Sequence, residues 1–380
     1  MSWEMVRIKD ITINLDNKRK PLNESERNKI SKKQLYPYIG ANNIMGFVDE
    51  FLFDEEIICI AEDGGSWGEN QKCCVYTTEK CWVNNHAHVL GSNNRADLKY
   101  LMYYLNATDL NKYITGSTRG KLTKSALDSI QVPLPPLSTQ KRIAEILDAA
   151  DALRRKDQEL LKKYDELAQA IFIDMFGDPV RNEKGWEVKS LRDVCTKITD
   201  GTHDTPARLN EGVKFITGKH IRPYMIDYEN SDYVTKEIHS EIYKRCNPVY
   251  GDILYTNIGV NYATAAMNTV NYEFSMKNVA LLKYKREILC GRFLEYHLNN
   301  EFFKDKLRRL TGIGGAQQFL SLAQINSIKI LVPDIKLQEI FELKINKLFE
   351  TLKIQNLEIA KSELLFNSLI QKAFKGELVQ

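Results

Sequence analysis

The chain has no unbroken apolar run approaching the roughly 18 residues of a membrane span, and its Met-Ser-Trp-Glu-Met start is not a basic, then apolar, leader. A soluble, cytoplasmic protein is expected. Cysteine is scarce: seven in 380 residues, an odd number, scattered, with no C-x2-C pair. That pattern argues against a disulfide scaffold in a chain with room for real cores. Cys73, Cys74 and Cys81 lie near His86 and His88, which raises zinc. The paired ligand spacing is missing, so buried thiols and no metal are expected. No G-x-G-x-x-G or Walker loop occurs, and no nucleophile elbow or metal-hydrolase spacing. Paired carboxylates occur only in solvent-type stretches such as Asp54-Glu55-Glu56. No catalytic constellation can be read. Charge of one sign is lacking too, with 53 Lys+Arg against 50 Asp+Glu.

What is present is a duplication. Residues 129–176 align without a gap on 327–374 at a constant offset of 198, placing Pro135 on Pro333, Gln140 on Gln338, Leu167 on Leu365 and Phe176 on Phe374. The copies also begin alike: Trp3-Glu4-Met5 matches Trp186-Glu187-Val188. A duplicated, pseudo-symmetric chain suits a target with two related halves. Charge is not quite evenly shared. Residues 179–333 hold 22 Lys+Arg against 17 Asp+Glu, whereas residues 1–134 balance at 17 each. Such a bias permits nucleic-acid binding without proving it.

Four segments follow: 1–134, 135–178, 179–333 and 334–380. The first and third mix short β-like runs, such as Glu56–Ala61 and Asp252–Tyr255, with Gly/Asn turns. Each also holds an amphipathic helix, near Asp97–Tyr113 and Gly291–Leu310, closed by Thr-Gly (Thr115-Gly116, Thr311-Gly312). Residues 138–176 read as one long helix, with Ser138 as N-cap after Pro133, Pro135 and Pro136. Its apolar stripe runs Ile143, Ile146, Ala150, Leu153, Leu160, Tyr164, Leu167, Ile171, with Asp157 at its own slot. Steps of three and four over that length call for a partner helix. The second copy supplies one, capped by Asp334, with Ile345, Phe349, Leu352, Ile359, Phe366 and Ile370, interrupted by Asn356 and Glu363. The expected class is α+β: two similar mixed α/β domains separated by a long antiparallel two-helix coiled coil. Helices of this length read as a spacer, and the polar slots as fixing register.

The stretch Pro133-Leu134-Pro135-Pro136-Leu137-Ser138-Thr139-Gln140-Lys141-Arg142-Ile143-Ala144-Glu145-Ile146-Leu147-Asp148 resembles the central repeat of type I restriction-modification specificity subunits. Met175-Phe176-Gly177-Asp178-Pro179, with Asn182 and Gly185-Trp186, is similar to the junction opening their second target-recognition domain, and Phe374-Lys375-Gly376-Glu377-Leu378 to their carboxyl end. The resemblance spans the chain in order: recognition domain, helix, recognition domain, helix. It implies a DNA-binding subunit without catalysis of its own, each recognition domain taking one half of a split target. It also implies docking of two adenine methyltransferase (modification) subunits and, through them, restriction and translocase subunits. S-adenosylmethionine would then belong to the partner, with no cofactor on this chain.

Phosphate contacts need Lys, Arg and small polar groups on loops, and base readout needs Arg, Lys, Asn, Gln or Tyr at loop tips. The candidates in the first domain are Lys18, Arg19, Lys20, Asn42, Asn43, Ser117, Thr118, Arg119 and Lys121. In the second they are Thr202, His203, Lys219, His220, Arg222, Gln317 and Gln318. Segments 117–121 and 313–318 correspond in position, and the resemblance makes them DNA-facing. The glycine-rich Asp63–Gly68 reads as a mobile surface loop or as one approaching a nucleic-acid backbone. Lys29, Lys32 and Lys33 read as a solvated face. The competing reading is a coiled-coil adaptor whose two heads bind protein rather than DNA.

Overall fold

The computed structural model describes residues 3–116, 118–259, 261–310 and 319–379. Contacts divide the chain into two compact units, residues 1–158 with 357–380, and residues 159–356. Each unit is therefore built from one head and a half of each long helix.

In the first unit, Met5–Arg7 pairs antiparallel with Gln131–Pro133, tying the chain's start to the strand that leads into the long helix. An antiparallel sheet runs in the order Thr12–Asn14, Ala87–Ser92, Ile57–Ala61, Cys74–Thr77. Ile57–Ala61 is buried at every residue, which is why it reads as an unbroken apolar run rather than an alternating one. A second sheet sets Tyr36–Ile39 between Ile44–Val48, antiparallel, and Trp82–Val83, parallel. The helix Leu98–Ala107 opens at Asp97, whose carboxylate accepts the Tyr100 N–H at 2.9 Å. It stops at Thr108, which is extended, so the expected helix through Tyr113 is shorter than the pattern suggested.

The second unit repeats the main pairings of this plan and adds a short hairpin of its own, Ile221–Arg222 with Met225–Ile226. Glu187–Ser190 pairs with Lys329–Val332. Cys195–Asp200, Ala280–Tyr284, Ile253–Tyr255 and Ala265–Met267 form the antiparallel sheet. Val213–Thr217 lies between Asp232–Val234, antiparallel, and Ser275–Lys277, parallel. The helix expected over 291–310 is two helices, Gly291–Asn299 and Glu301–Leu310. Asn300 breaks it: its side-chain oxygen accepts the Phe303 N–H at 3.2 Å and starts a new helix. Every residue of Gly291–Asn299 is buried. Burial pushes the His297 pKa down to about 3, and its neutral Nε2 accepts the Leu331 N–H at 3.1 Å. Thr311-Gly312 lies outside the described residues.

The long helices are Leu137–Phe176 and Ile335–Lys375. Ser138 is already helical, so it is not the cap expected of it. Asp334 is one: its carboxylate accepts the Lys336 N–H at 2.9 Å. In the first unit Ile143, Leu147 and Ala150 share a core with Phe366, Ile370 and Ala373 around Tyr100, Leu101 and Tyr103. In the second, Ala168, Phe172 and Phe176 share one with Phe341 and Ile345 around Phe293 and Tyr296. The buried line on the first helix thus takes Leu147 and Ala168 where Ile146 and Leu167 were expected. Leu153 and Leu167, placed on the stripe by their spacing, are 47% and 46% exposed. Arg154 sits inward instead, reaching Glu363 at 3.3 Å with its guanidinium 4.4 Å from the Phe366 ring centre. Of the polar slots, Glu363 is thereby paired, whereas Asn356 is exposed and the neighbouring slot falls to Ser362, which is buried.

The repeated glutamine has a clear job. Gln140, fully buried, donates to the Pro135 carbonyl at 2.8 Å and accepts the Asp97 N–H at 2.9 Å. Gln338, equally buried, donates to the Pro333 carbonyl at 2.9 Å and accepts the Cys290 N–H at 3.0 Å. In each head one amide ties the start of the long helix to the start of the head helix, satisfying backbone groups there.

Candidate nucleic-acid interface

In the first head, Ile114–Thr115 and Lys121–Leu122 form a small hairpin. Gly116 turns it at φ +94°, and a Cβ there would lie 2.4 Å from the Arg119 carbonyl oxygen, so only glycine fits. The loop Asp63–Gly68 is laced to this hairpin rather than free. Gly64 N–H donates to the Gly120 carbonyl at 3.1 Å, and Leu122 N–H to that of Glu62 at 2.7 Å. The Trp67 ring lies against Gly120, and its indole N–H donates to the Ala61 carbonyl at 3.2 Å. Glycine at 64 leaves room for the Arg119 guanidinium, 3.0 Å from where a Cβ would stand.

Carboxylates hold the cations of this cluster. Asp63 lies 2.8 Å from Arg119 and 2.8 Å from His86 Nδ1. Glu62 lies 2.6 Å from Arg19 and 3.1 Å from Lys121. Asp16 accepts from His88 Nδ1 at 2.7 Å, while His88 Nε2 lies 2.8 Å from the Leu122 carbonyl. Both ring nitrogens face acceptors, an arrangement that favours the protonated ring. Burial opposes that charge, but the Asp16 and Leu122 hydrogen bonds outweigh it and raise the pKa. Burial likewise opposes the charged forms of Asp16 and Glu62. The His88 hydrogen bond on Asp16, and those of Arg19 and Lys121 on Glu62, prevail and depress both.

The structure therefore brings Arg19, Asn42, Arg119 and Lys121 together around residues 61–65. Asn42 Oδ1 would lie 3.0 Å from a Cβ at Gly65. Arg119 and Lys121 present exposed side chains, at 61% and 49%. Arg19 does not: its guanidinium is taken up by Glu62, Asp16 and the Ala87 carbonyl. Lys18 pairs with Glu55 at 2.6 Å. Lys20 and Asn43 are exposed; the Lys20 N–H donates to the distant Val83 carbonyl, and the Asn43 carbonyl accepts the Gly40 N–H to close a turn. Thr118 is exposed in the hairpin loop; Ser117 lies outside the described residues.

In the second head, Thr202, His203 and Lys219 gather where Val213–Thr217 and Ser275–Lys277 end side by side. Thr202 bridges Lys277, and its hydroxyl accepts the Asp204 N–H at 3.1 Å. His203 is exposed, between Asp200 at 2.8 Å and Asn278 at 3.0 Å. Arg222 is exposed and donates to the Lys219 carbonyl at 2.7 Å. His220 is not a surface group: it is 3% exposed, and its Nδ1 accepts the Thr217 N–H at 2.9 Å. Burial, with the charge of Lys219, lowers its pKa and keeps it neutral. Gln317 and Gln318 lie outside the described residues; the chain is described again from Phe319, which bridges Ile258. Sequence reasoning missed Arg208, Lys277 and Asn261, which line the same cleft. No local signal marks them, since sheet pairing alone places them there.

All seven cysteines are buried free thiols, and burial pushes Cys73 and Cys81 up to about 12. Among the described residues no group of three or more His, Cys, Asp or Glu is placed to hold a metal ion, and no helix is long and apolar enough to cross a membrane.

Comparison with known proteins adds to this geometry. A family model described as the type I restriction modification DNA specificity domain matches residues 1–163. A Haemophilus influenzae protein named as a type I restriction enzyme specificity subunit is 28% identical over 353 residues, covering 89% of this chain and 85% of that one. A Methanocaldococcus jannaschii type I restriction enzyme specificity subunit is 22% identical, covering 99% of this chain and 93% of its own. The crystal structure of a type I restriction-modification S subunit from M. genitalium matches the fold with a TM-score of 0.66 at 16% identity, covering 98% of this chain and 96% of that one.

Proposed function

We propose, for a chain that belongs to the type I restriction-modification specificity-subunit family, that it reads a bipartite double-stranded DNA target with one head on each half-site. The observation that carries this is the duplication itself: two heads with matching main sheets, each gathering cations and side-chain amides at loop ends. Arg119 and Lys121 serve one half-site, and Lys219 and Arg222 the other. The chain works with the other subunits of a restriction-modification complex. It docks two methyltransferase subunits and, through them, the restriction and translocase subunits. S-adenosylmethionine belongs to the methyltransferase, and this chain contributes recognition rather than chemistry.

Mapping methylated adenines in the host genome tests the reading. The expected result is a split motif with a fixed gap. Arg119→Gln with Lys121→Gln should relax one half only. A chain that co-purifies with a methyltransferase but leaves the methylated sequences unchanged when both heads are altered would instead be an adaptor.

A further inference from the structure

The second head has a cleft of about 380 Å³ that the sequence does not announce. It opens where two parallel strands end, with Thr217 beside Lys277 in register. Crevices beyond the carboxyl ends of parallel strands are common ligand sites, because the loops there diverge. Three cations line it, Arg208, Lys219 and Lys277, against one carboxylate, Asp232. Asp232 is shared, 3.2 Å from Lys219 and 3.7 Å from Arg208. Lys277 donates to the Thr205 hydroxyl, and among the described residues no carboxylate lies within ion-pair distance of it.

The floor is open backbone. Gly259 takes φ +93°, which favours glycine, and among the described residues nothing lies within 4 Å of where a Cβ would stand, so the backbone there is uncovered. Gly218 has only ordinary contacts, at 3.8 and 3.9 Å. The floor is also fixed: Asn261 donates to the Gly218 carbonyl at 3.1 Å and to that of Ile221 at 2.9 Å, joining the two loops. A rigid, glycine-floored, cationic cleft of this size is too small for a duplex and suits one backbone phosphate with its sugar. Two of the three cations, Lys219 and Lys277, are ammonium point charges, which suit a phosphate oxygen.

We propose that this cleft takes a phosphodiester of the DNA at the second half-site through Arg208, Lys219 and Lys277, with Asp232 holding two of them while the cleft is empty. This rests on the reading of the chain as a DNA-recognition subunit. It assigns these residues to uniform affinity, not to the choice of bases. The test uses the full chain in complex with its methyltransferase. Binding to a duplex carrying the methylated motif, and to a random duplex, is measured across a salt series. Lys277→Gln should weaken both duplexes alike and make the slope of log affinity against log salt shallower by about 0.9, one phosphate contact. The methylated motif should stay the same. Asp232→Asn should tighten binding to the random duplex, a gain that a misfolded variant cannot give. An unchanged slope in Lys277→Gln, or a loss confined to the cognate duplex, overturns the phosphate assignment while leaving DNA recognition intact. If the parent complex binds neither duplex, both readings fall.

Discussion

Gln140 and Gln338 show what a single residue can carry in this molecule. Each satisfies a backbone donor and a buried carbonyl, and for Gln338 the donor is buried as well. Gln338→Leu should therefore cost about 1–3 kcal/mol, the desolvation of the groups left behind, seen as a lower urea midpoint for the second unit. An unchanged midpoint would mean that water enters and replaces the amide. His88 gives a pH signature. Its pKa is raised in the fold, so the stability it adds is full below the ordinary histidine value of about 6.5 and is lost as pH rises through the raised value. Asp16 and Glu62 are depressed, so their contribution is lost only in acid, as pH falls through their lowered values. Melting of the first unit should weaken as pH rises above the ordinary histidine value and through the raised one, and His88→Gln should flatten that limb. Individual residues were the least legible part of the sequence. Arg19 stands in a basic run with Lys18 and Lys20, yet its partner Glu62 is 43 residues away, a distance no local pattern reports. His220 stood among the surface candidates for DNA contact and is a buried acceptor.

At the scale of elements the sequence was far more legible. The two long helices, their ends and their need for a partner follow from spacing and proline placement. What spacing left open is which of two adjacent lines faces inward. Ile146 and Leu147 are both apolar, as are Leu167 and Ala168, so either line satisfies a three-four rhythm. Burial against the head decides it: Leu147 joins the core that holds Tyr100 and Tyr103, and Ala168 the one that holds Phe293 and Tyr296. Leu147→Ala should cost roughly 2–5 kcal/mol and Leu153→Ala less than about 0.5, measured by denaturation of the full chain. Equal costs would restore the line that spacing suggested. The break at Asn300 escaped for a similar reason. The apolar rhythm runs on past it, and only the side-chain cap on Phe303 interrupts the backbone.

For the whole molecule, the proposed function turns helix length into the number of unread base pairs. A heptad inserted near Leu161, matched by one near Leu352, adds about 10 Å along each helix and keeps the buried line in phase. Sequencing of methylated sites should then show a longer gap between unchanged half-motifs. A constant gap would mean that the helices do not set it. Inserting two residues instead rotates the buried line out of place and should prevent assembly.

The duplication also bears on how such a gene can be rearranged. The first unit consists of residues 1–158 and 357–380, and the repeat offset is 198, so Gln158 and Asn356 are equivalent positions. Recombination between the repeats at that point would join Gln158 directly to Leu357. The shortened product would hold every residue of one unit, but on a single unbroken helix. Its two halves could no longer fold against one another, and Arg154 could not reach Glu363 of its own chain. Two copies could exchange those halves, each completing the other's core, as swapped dimers do. Light scattering on that deletion product should give twice the chain mass, and a folded monomer would show that the helix halves are not needed to close the head.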